Sequence, residues 1–94
     1  MQVSPKDLDI RGRIREFVLS NFYVPAGDAI ADGTSLFEGG YVDSTGVLEL
    51  IVFIESAFGV TVLDAETVPE NLDSIERIAA FVARKTTQPA LVDN

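Results

Sequence analysis

The sequence predicts an all-α fold, a small four-helix bundle of three main helices and one short helix, with a long loop between helices 1 and 2. Three observations lead to this prediction. Apolar residues recur at helical spacing in three separate segments, and a capping residue precedes each of them. The chain of 94 residues suits one domain. We assign this domain to residues 1–86 and expect residues 87–94 to be a flexible tail.

The first helix is predicted from about Pro5 to Ser20. Ser4 is placed to cap it, and Pro5 suits the first helical position because the N–H that proline lacks would have no partner there. Helical spacing places five residues on one face of this helix: Ile10, Ile14, Phe17, Val18 and Asn21. This face is apolar from Ile10 to Val18. We expect the charged side chains to lie around the solvent side: Arg11, Arg13, Arg15 and Glu16.

A long loop is predicted over residues 24–43, where glycine, proline and aspartate are frequent. Leu36 and Phe37 are too apolar for a free loop, and we expect them to attach it to the core. A loop of this length in a compact domain is usually functional or disordered, and the attachment favours a functional one.

The second helix is predicted from Ser44 to Phe58, with Asp43 as its cap and Gly59 as its end. A helical wheel places a broad apolar face toward the core, with Phe53 at its edge: Val47, Leu50, Ile51, Ile54, Ala57 and Phe58. The opposite face holds Thr45, Leu48, Glu49, Val52, Glu55 and Ser56. Leu48 and Val52 are therefore expected to be exposed among carboxylates.

Two elements are predicted after the second helix. Residues 64–68 suggest a short helix limited by Pro69, whereas residues 60–63 alternatively suggest a short strand without an obvious partner. The last helix is predicted to begin with a capping arrangement of Asp73 and Glu76. Its apolar stripe is Ile75, Ile78, Ala79 and Val82, and Arg84 and Lys85 suit its C-terminal end.

The charge of the chain is strongly negative and unevenly distributed. The net charge is −8, and the segment from Glu16 to Glu76 holds 12 acidic residues and no Lys or Arg. Such a surface repels phosphate backbones, which excludes nucleic acid as a partner and favours basic protein surfaces. Without an apolar run long enough to span a membrane or a signal segment, we expect a cytoplasmic monomer.

Several kinds of chemistry are excluded by composition. The chain has no Cys and no His, which rules out disulfides, Cys/His metal sites and His-based triads. Residues 28–39 superficially resemble a calcium loop, but Ile30 and Gly39 stand where the third and twelfth loop positions require ligands. Neither a Ser-x-x-Lys spacing nor a glycine-rich phosphate loop with its lysine occurs. We therefore expect a protein that is not an enzyme.

The junction at residues 39–44, Gly-Gly-Tyr-Val-Asp-Ser, remains as a candidate site. A serine in the first turn of a helix exposes its hydroxyl beside free backbone N–H groups, where an attached phosphate is electrostatically favoured. Ordinary capping by Asp43 explains the same residues without any function. From the junction alone, both interpretations remain open.

This junction and the segments around it resemble the acyl carrier proteins, whose motif centres on Asp-Ser at the start of the second helix. The Thr34–Glu38 segment is similar to the loop ahead of that motif. The segment from Glu49 to Val60 is similar to the second helix and its exit, and Asn71–Phe81 is similar to the last helix. The resemblance covers residues 8–84.

The resemblance implies a non-catalytic carrier in a family of helical bundles. Ser44 would receive 4′-phosphopantetheine from coenzyme A through a phosphopantetheinyl transferase, and Asp43 would help to orient the motif. The thiol of this cofactor would carry acyl groups as thioesters for an acyl-loading ligase and for acyl-using enzymes with basic docking surfaces. The partner-contact positions would be Thr45, Leu48, Glu49, Val52 and Glu55.

The sequence also departs from the carriers of fatty-acid synthesis. Gly46 and Ser56 stand where those carriers usually place acids, so docking to fatty-acid enzymes through these positions is weakened, and Gly46 is expected to loosen the first turn. The motif looks more like stand-alone carriers that serve a dedicated adenylating ligase. An aminoacyl or peptidyl cargo stays open, and an unmodified helical interaction module is the alternative of another class.

Overall fold

The computed structural model describes residues 5–25 and 27–87. Its elements are α1 (Pro5–Asn21), α2 (Ser44–Phe58), a 3₁₀ turn (Asp64–Glu66), α3 (Pro69–Leu72) and α4 (Ile75–Thr87). The predicted small helical bundle is confirmed, and no strand occurs in the described residues, so the alternative of a strand over residues 60–63 is wrong. Thr87, the first residue of the tail expected over residues 87–94, belongs to α4. The rest of that tail and the capping role of Ser4 fall outside the described part of the chain.

Helix α4 is the centre of the packing, since it contacts each of the other three helices. Its predicted apolar stripe is buried, which confirms the helical period. The completely enclosed side chains come from all four helices and from the long loop, and the largest are Phe81, Ile14, Leu36, Leu50, Ile54, Leu72, Ile75 and Ile78. The core is therefore one cluster, with α1, α2 and α3 arranged around α4.

The long loop is attached to the core as predicted, because Leu36 is completely buried and Phe37 is half-buried. It is also held to α1 by charge. Asp32 accepts hydrogen bonds from Arg15 and Arg11, and these bonds hold the pKa of Asp32 below its ordinary value. Arg11 and Arg15 were expected on the solvent side, but each is half-buried against Asp32, because the loop covers that side of α1.

Asp73 was expected to cap α4, and that expectation is wrong. The cap is Ser74, whose Oγ accepts from the N–H of Arg77 at 3.0 Å. The Asp73 carboxylate instead accepts from Ser35 Oγ at 2.8 and 2.9 Å and from the N–H of Phe37 at 3.0 Å. The carboxylate thus bridges the long loop to the start of α4, and the serine that follows it is free to cap the helix.

The short helical region is divided differently from the prediction. Residues Asp64–Glu66 form a 3₁₀ turn, and Pro69 begins α3 instead of ending a helix. This placement suits proline, whose fixed φ and missing N–H are compatible with the first turn of a helix. Within the described residues, no helix combines the length and hydropathy needed to cross a bilayer.

Candidate functional site

Asp43 caps α2 and thereby places Ser44 at its first position. The backbone of Asp43 is extended (φ −103°, ψ −171°), and its side chain accepts a hydrogen bond from the N–H of Gly46 at 2.8 Å. Ser44 and Thr45 are both exposed. The N–H groups at the start of a helix lack carbonyl partners within it, so the Ser44 hydroxyl lies at the positive end of the helix dipole.

The chain reaches this position through a turn that is fixed on both sides. Gly40 has a φ of +77°, which favours glycine, and the N–H groups of Tyr41 and Val42 both donate to the carbonyl of Leu36. Val42 is buried in the core. The buried Val42 and the capping Asp43 therefore hold the Ser44 position firmly while leaving its side chain exposed.

Tyr41 lies beside the same turn and is tied to the preceding loop. Its hydroxyl donates a hydrogen bond to a carboxylate oxygen of Asp28 at 2.8 Å. This bond, with the negative charge of Asp28, raises the pKa of Tyr41 above its ordinary value. Tyr41 therefore stays a neutral hydrogen-bond donor at physiological pH.

The outward face of α2 has the predicted composition. Leu48 is 65% exposed and Val52 is 61% exposed, and Thr45 and Glu49 are exposed as well. Glu55 differs from these, because it is half-buried and its Oε2 accepts from the N–H of Val62 at 2.9 Å. One oxygen of Glu55 is thus used to hold the segment that leaves α2.

Gly46, which stands where the carriers of fatty-acid synthesis usually place an acid, is buried in this structure. A Cβ added there would lie 2.8 Å from Cε1 of Phe22 and 3.3 Å from Cγ1 of Val42. A larger residue at this position would therefore require Phe22 or Val42 to shift, and its glycine is explained by the close approach of the chain that follows α1. Ser56, the other departure, is exposed on α2.

Two adjoining grooves run between α1 and α2. The apolar groove encloses about 610 Å³ and is lined by Phe17, Asn21, Leu48, Glu49, Val52 and Phe53. The polar groove encloses about 410 Å³ and lies beside the Ser44 turn, where its lining includes Asn21, Tyr23, Tyr41, Asp43, Thr45 and Glu49. Asn21 and Glu49 line both, so the two grooves lie next to each other.

The contribution of α1 to this region was missed from the sequence. Phe17 and Asn21 were assigned to the face of α1 that packs inward, and Tyr23, which precedes the predicted loop, was given no structural role. Tyr23 is 80% exposed in the structure. Two consecutive aromatic residues close behind the predicted helix, Phe22 and Tyr23, were the available signal, but only the tertiary structure shows that they line the polar groove with Asp43 and Thr45.

The helix N-terminus at Ser44 favours an anionic group, whereas the charged side chains near it do not. The helix N-terminus favours a phosphate there, and the hydroxyl is accessible. No Lys or Arg occurs between Arg15 and Arg77, so neither α2 nor the turn before it supplies a basic side chain. Any additional positive charge at this site must therefore come from outside α2 and the turn before it.

Comparison with protein-family models gives no match to this chain, and comparison with curated proteins gives no significant match either.

Proposed function

We propose that this protein is an acyl carrier protein, in which a 4′-phosphopantetheine arm attached to Ser44 carries acyl groups as thioesters to partner enzymes. One observation supports the proposal above the others. An exposed serine begins an aspartate-capped helix, and the outward face of that same helix is apolar and acidic. Ordinary capping accounts for Asp43 but leaves the exposed Leu48 and Val52 below it without a role.

The attachment is a group transfer from coenzyme A, catalysed by a phosphopantetheinyl transferase. A bond forms between Ser44 Oγ and the phosphorus of phosphopantetheine, the phosphoanhydride bond of coenzyme A breaks, and adenosine 3′,5′-bisphosphate leaves. The hydroxyl proton passes to a base of the transferase. Once attached, the arm supplies the thiol that this cysteine-free chain lacks.

The residues of the chain position this arm and recognise partners. Asp43 holds the first turn of α2 through Gly46, which keeps Ser44 at the helix start. The exposed Thr45, Leu48, Glu49 and Val52 form the surface next to the arm. Since the surrounding segment is entirely acidic among its charged residues, we expect the ligase and the acyl-using enzymes to present basic docking surfaces.

The proposed role is non-catalytic, with acyl cargo from fatty-acid, polyketide or related specialised biosynthesis. A carrier of aminoacyl or peptidyl intermediates would use the same modification of Ser44. An unmodified interaction module would use the exposed Leu48 and Val52 without any arm. The modification itself therefore separates both carriers from the module.

Intact mass measurement after incubation with coenzyme A, Mg²⁺ and a promiscuous phosphopantetheinyl transferase tests the proposal. We expect the wild-type protein to gain one phosphopantetheine and Ser44→Ala to gain none. Ser56→Ala is the matched control, because Ser56 is also an exposed serine of α2, and it should gain one. An unmodified wild-type protein, or a gain that persists in Ser44→Ala, would overturn the proposal.

A further inference from the structure

We infer that Tyr23, which follows α1, is a contact residue for the enzyme that modifies Ser44, and that the polar groove beside it receives an arginine side chain of that enzyme. This inference rests on the proposed function, because it names the partner chemistry of the same site. It extends the contact surface from the outward face of α2 to the segment that follows α1.

The backbone of Tyr23 is anchored although its side chain lies in solvent. At 80% exposure, Tyr23 is the most exposed of the large hydrophobic side chains in the described residues. Before it, the Phe22 ring packs edge-on against Phe17 at 5.7 Å, and the Phe22 N–H donates to the carbonyl of Val18 at 3.1 Å. After it, Val24 packs against the core. A partner that binds the Tyr23 ring therefore orders less chain than it would on a free loop, which favours affinity.

The polar groove combines aromatic rings with carboxylates. Its lining includes Tyr23 and Tyr41, the acids Asp43 and Glu49, and neither Lys nor Arg. Asp43 uses one carboxylate oxygen to accept from the N–H of Gly46 at 2.8 Å. Glu49 is exposed and forms no ion pair with another described residue. A cation that enters the groove thus meets an unpaired carboxylate and an aromatic surface together.

These features suit arginine better than lysine. The planar guanidinium pairs with a carboxylate through two parallel N–H donors and stacks on aromatic rings, whereas the ammonium of lysine is a strongly hydrated point charge. A cation over a tyrosine ring is also attracted by the quadrupole of the ring. The groove encloses about 410 Å³, which lies within the range of about 300–1,000 Å³ that is typical of ligand pockets. An arginine side chain can therefore enter it.

The position of the groove selects the modifying enzyme as the partner. Asp43 and Thr45, the chain neighbours of Ser44, both line the groove. An enzyme that attaches the arm has to bring its active site to the Ser44 hydroxyl, so its surface must lie over the adjacent groove. An enzyme that acts on the acyl thioester works at the far end of a flexible arm and does not have to cover the groove. The transferase is therefore the partner that we assign to it.

Binding of a small arginine probe tests the chemistry of the groove. N-acetyl-arginine amide is titrated into the ¹⁵N-labelled, unmodified protein, and N-acetyl-lysine amide serves as the comparison. We expect saturable shifts of the backbone NMR signals of Tyr23, Thr45 and Glu49, and weaker binding of the lysine probe. Higher ionic strength should weaken the arginine complex, because the ion pair is exposed. The signal of Leu63, which lies outside the groove, should not shift.

Substitutions separate the contribution of the ring from that of the charge. Tyr23→Leu should weaken binding of the arginine probe about two- to fivefold, the equivalent of about 0.5–1 kcal/mol for an exposed cation–π contact. Tyr23→Phe should preserve binding, because the ring remains. Glu49→Gln should weaken binding by up to about fivefold, whereas Glu70→Gln, at an exposed carboxylate outside the groove, should not change it. All three side chains are exposed, so the variants should remain folded.

The kinetics of Ser44 modification test the assigned partner. With the promiscuous transferase and saturating coenzyme A, Tyr23→Leu should raise the KM for this protein about two- to fivefold and leave kcat unchanged. A docking contact has this signature, because it is made equally in the ground state and in the transition state. Tyr23→Phe should keep the wild-type KM. Leu63→Ala, which shortens another exposed apolar side chain, should keep it as well.

The possible results separate the groove from the carrier function. If Ser44 gains no arm, the carrier function and the assignment of its enzyme to the groove both fail. If the arm is attached but the arginine probe binds equally to the wild type and to Tyr23→Leu, the carrier function stands and the inference is wrong. Equal binding of the arginine and lysine probes would also overturn the inference, and so would an unchanged KM for Tyr23→Leu.

Discussion

Replacing Gly46 with Ala tests how closely α2 approaches the chain that follows α1. Alanine is the better helix former by about 0.8–1 kcal/mol, so helix propensity alone predicts a more stable protein. In the structure, however, the added Cβ would lie 2.8 Å from Cε1 of Phe22 and 3.3 Å from Cγ1 of Val42. Val42 is buried, and the Phe22 ring packs edge-on against Phe17 at 5.7 Å, so neither side chain can move without losing contacts.

The net effect is expected to be a loss of stability. Overpacking a well-filled site typically costs about 1–3 kcal/mol. The gain in helix propensity offsets part of this cost, which leaves Gly46→Ala less stable than the wild type by about 1 kcal/mol. For a domain of this size, that corresponds to a fall in Tm of roughly 4–8 °C.

Gly12 provides a matched control on α1. It is an exposed helical glycine, and a Cβ added there would meet nothing within 4 Å. Gly12→Ala should therefore raise the free energy of unfolding by up to about 1 kcal/mol. Urea denaturation followed by far-UV circular dichroism measures both variants, and opposite signs are expected.

A double variant identifies the source of the strain. In the Phe22→Ala background the nearest ring is gone, so Gly46→Ala should become less destabilising or turn stabilising. If Gly46→Ala instead stabilises the wild-type protein as much as Gly12→Ala does, the close approach of Phe22 to α2 is refuted.

Three further predictions concern charge. Asp73→Ala should lower the free energy of unfolding by about 1.5–3 kcal/mol in urea titrations, because the Ser35 hydroxyl and the N–H of Phe37 lose a charged acceptor. An effect no larger than that of the exposed Asp64→Ala would contradict this. Arg15 and Arg11 lower the pKa of Asp32 in the folded protein. The ionised Asp32 therefore stabilises the fold above about pH 4, and this contribution is lost as the pH falls through the lowered pKa of the folded state. Asp32→Asn should therefore flatten the acid side of the stability curve, whereas Asp64→Asn should not; equal curves would exclude the prediction. Moderate salt or divalent cations should raise Tm by screening repulsion in the acidic segment, and a Tm independent of ionic strength would count against it.

The helices of this protein are largely determined by local signals. The period of apolar residues located α1, α2 and α4, and Asp43 and Gly59 defined both ends of α2. Helical spacing also identified Leu48 and Val52 as exposed, because the 3.6-residue period of a helix decides which side chains of α2 face the core and which face solvent. The Asp-Ser junction was likewise located from the sequence alone.

The cap of α4 shows where local signals were insufficient. Asp73 and Ser74 are both good capping residues, and nothing in the sequence chooses between them. The structure chooses Ser74, because Ser35 and Phe37 of the distant loop occupy the Asp73 carboxylate. The same holds for Arg11 and Arg15, whose partner Asp32 lies in that loop, outside α1.

The sequence by itself therefore determined an acidic helical chain with an exposed serine at a helix start. Only the tertiary structure decided what surrounds that serine. It placed Phe17 and Asn21 of α1 against α2 to form the apolar groove, and it buried Gly46 beneath Phe22. The physical reason is that a groove or a close approach is formed by residues of two different elements. Its residues carry no periodic signal that links them, and the packing of α1 and α2 sets their spacing.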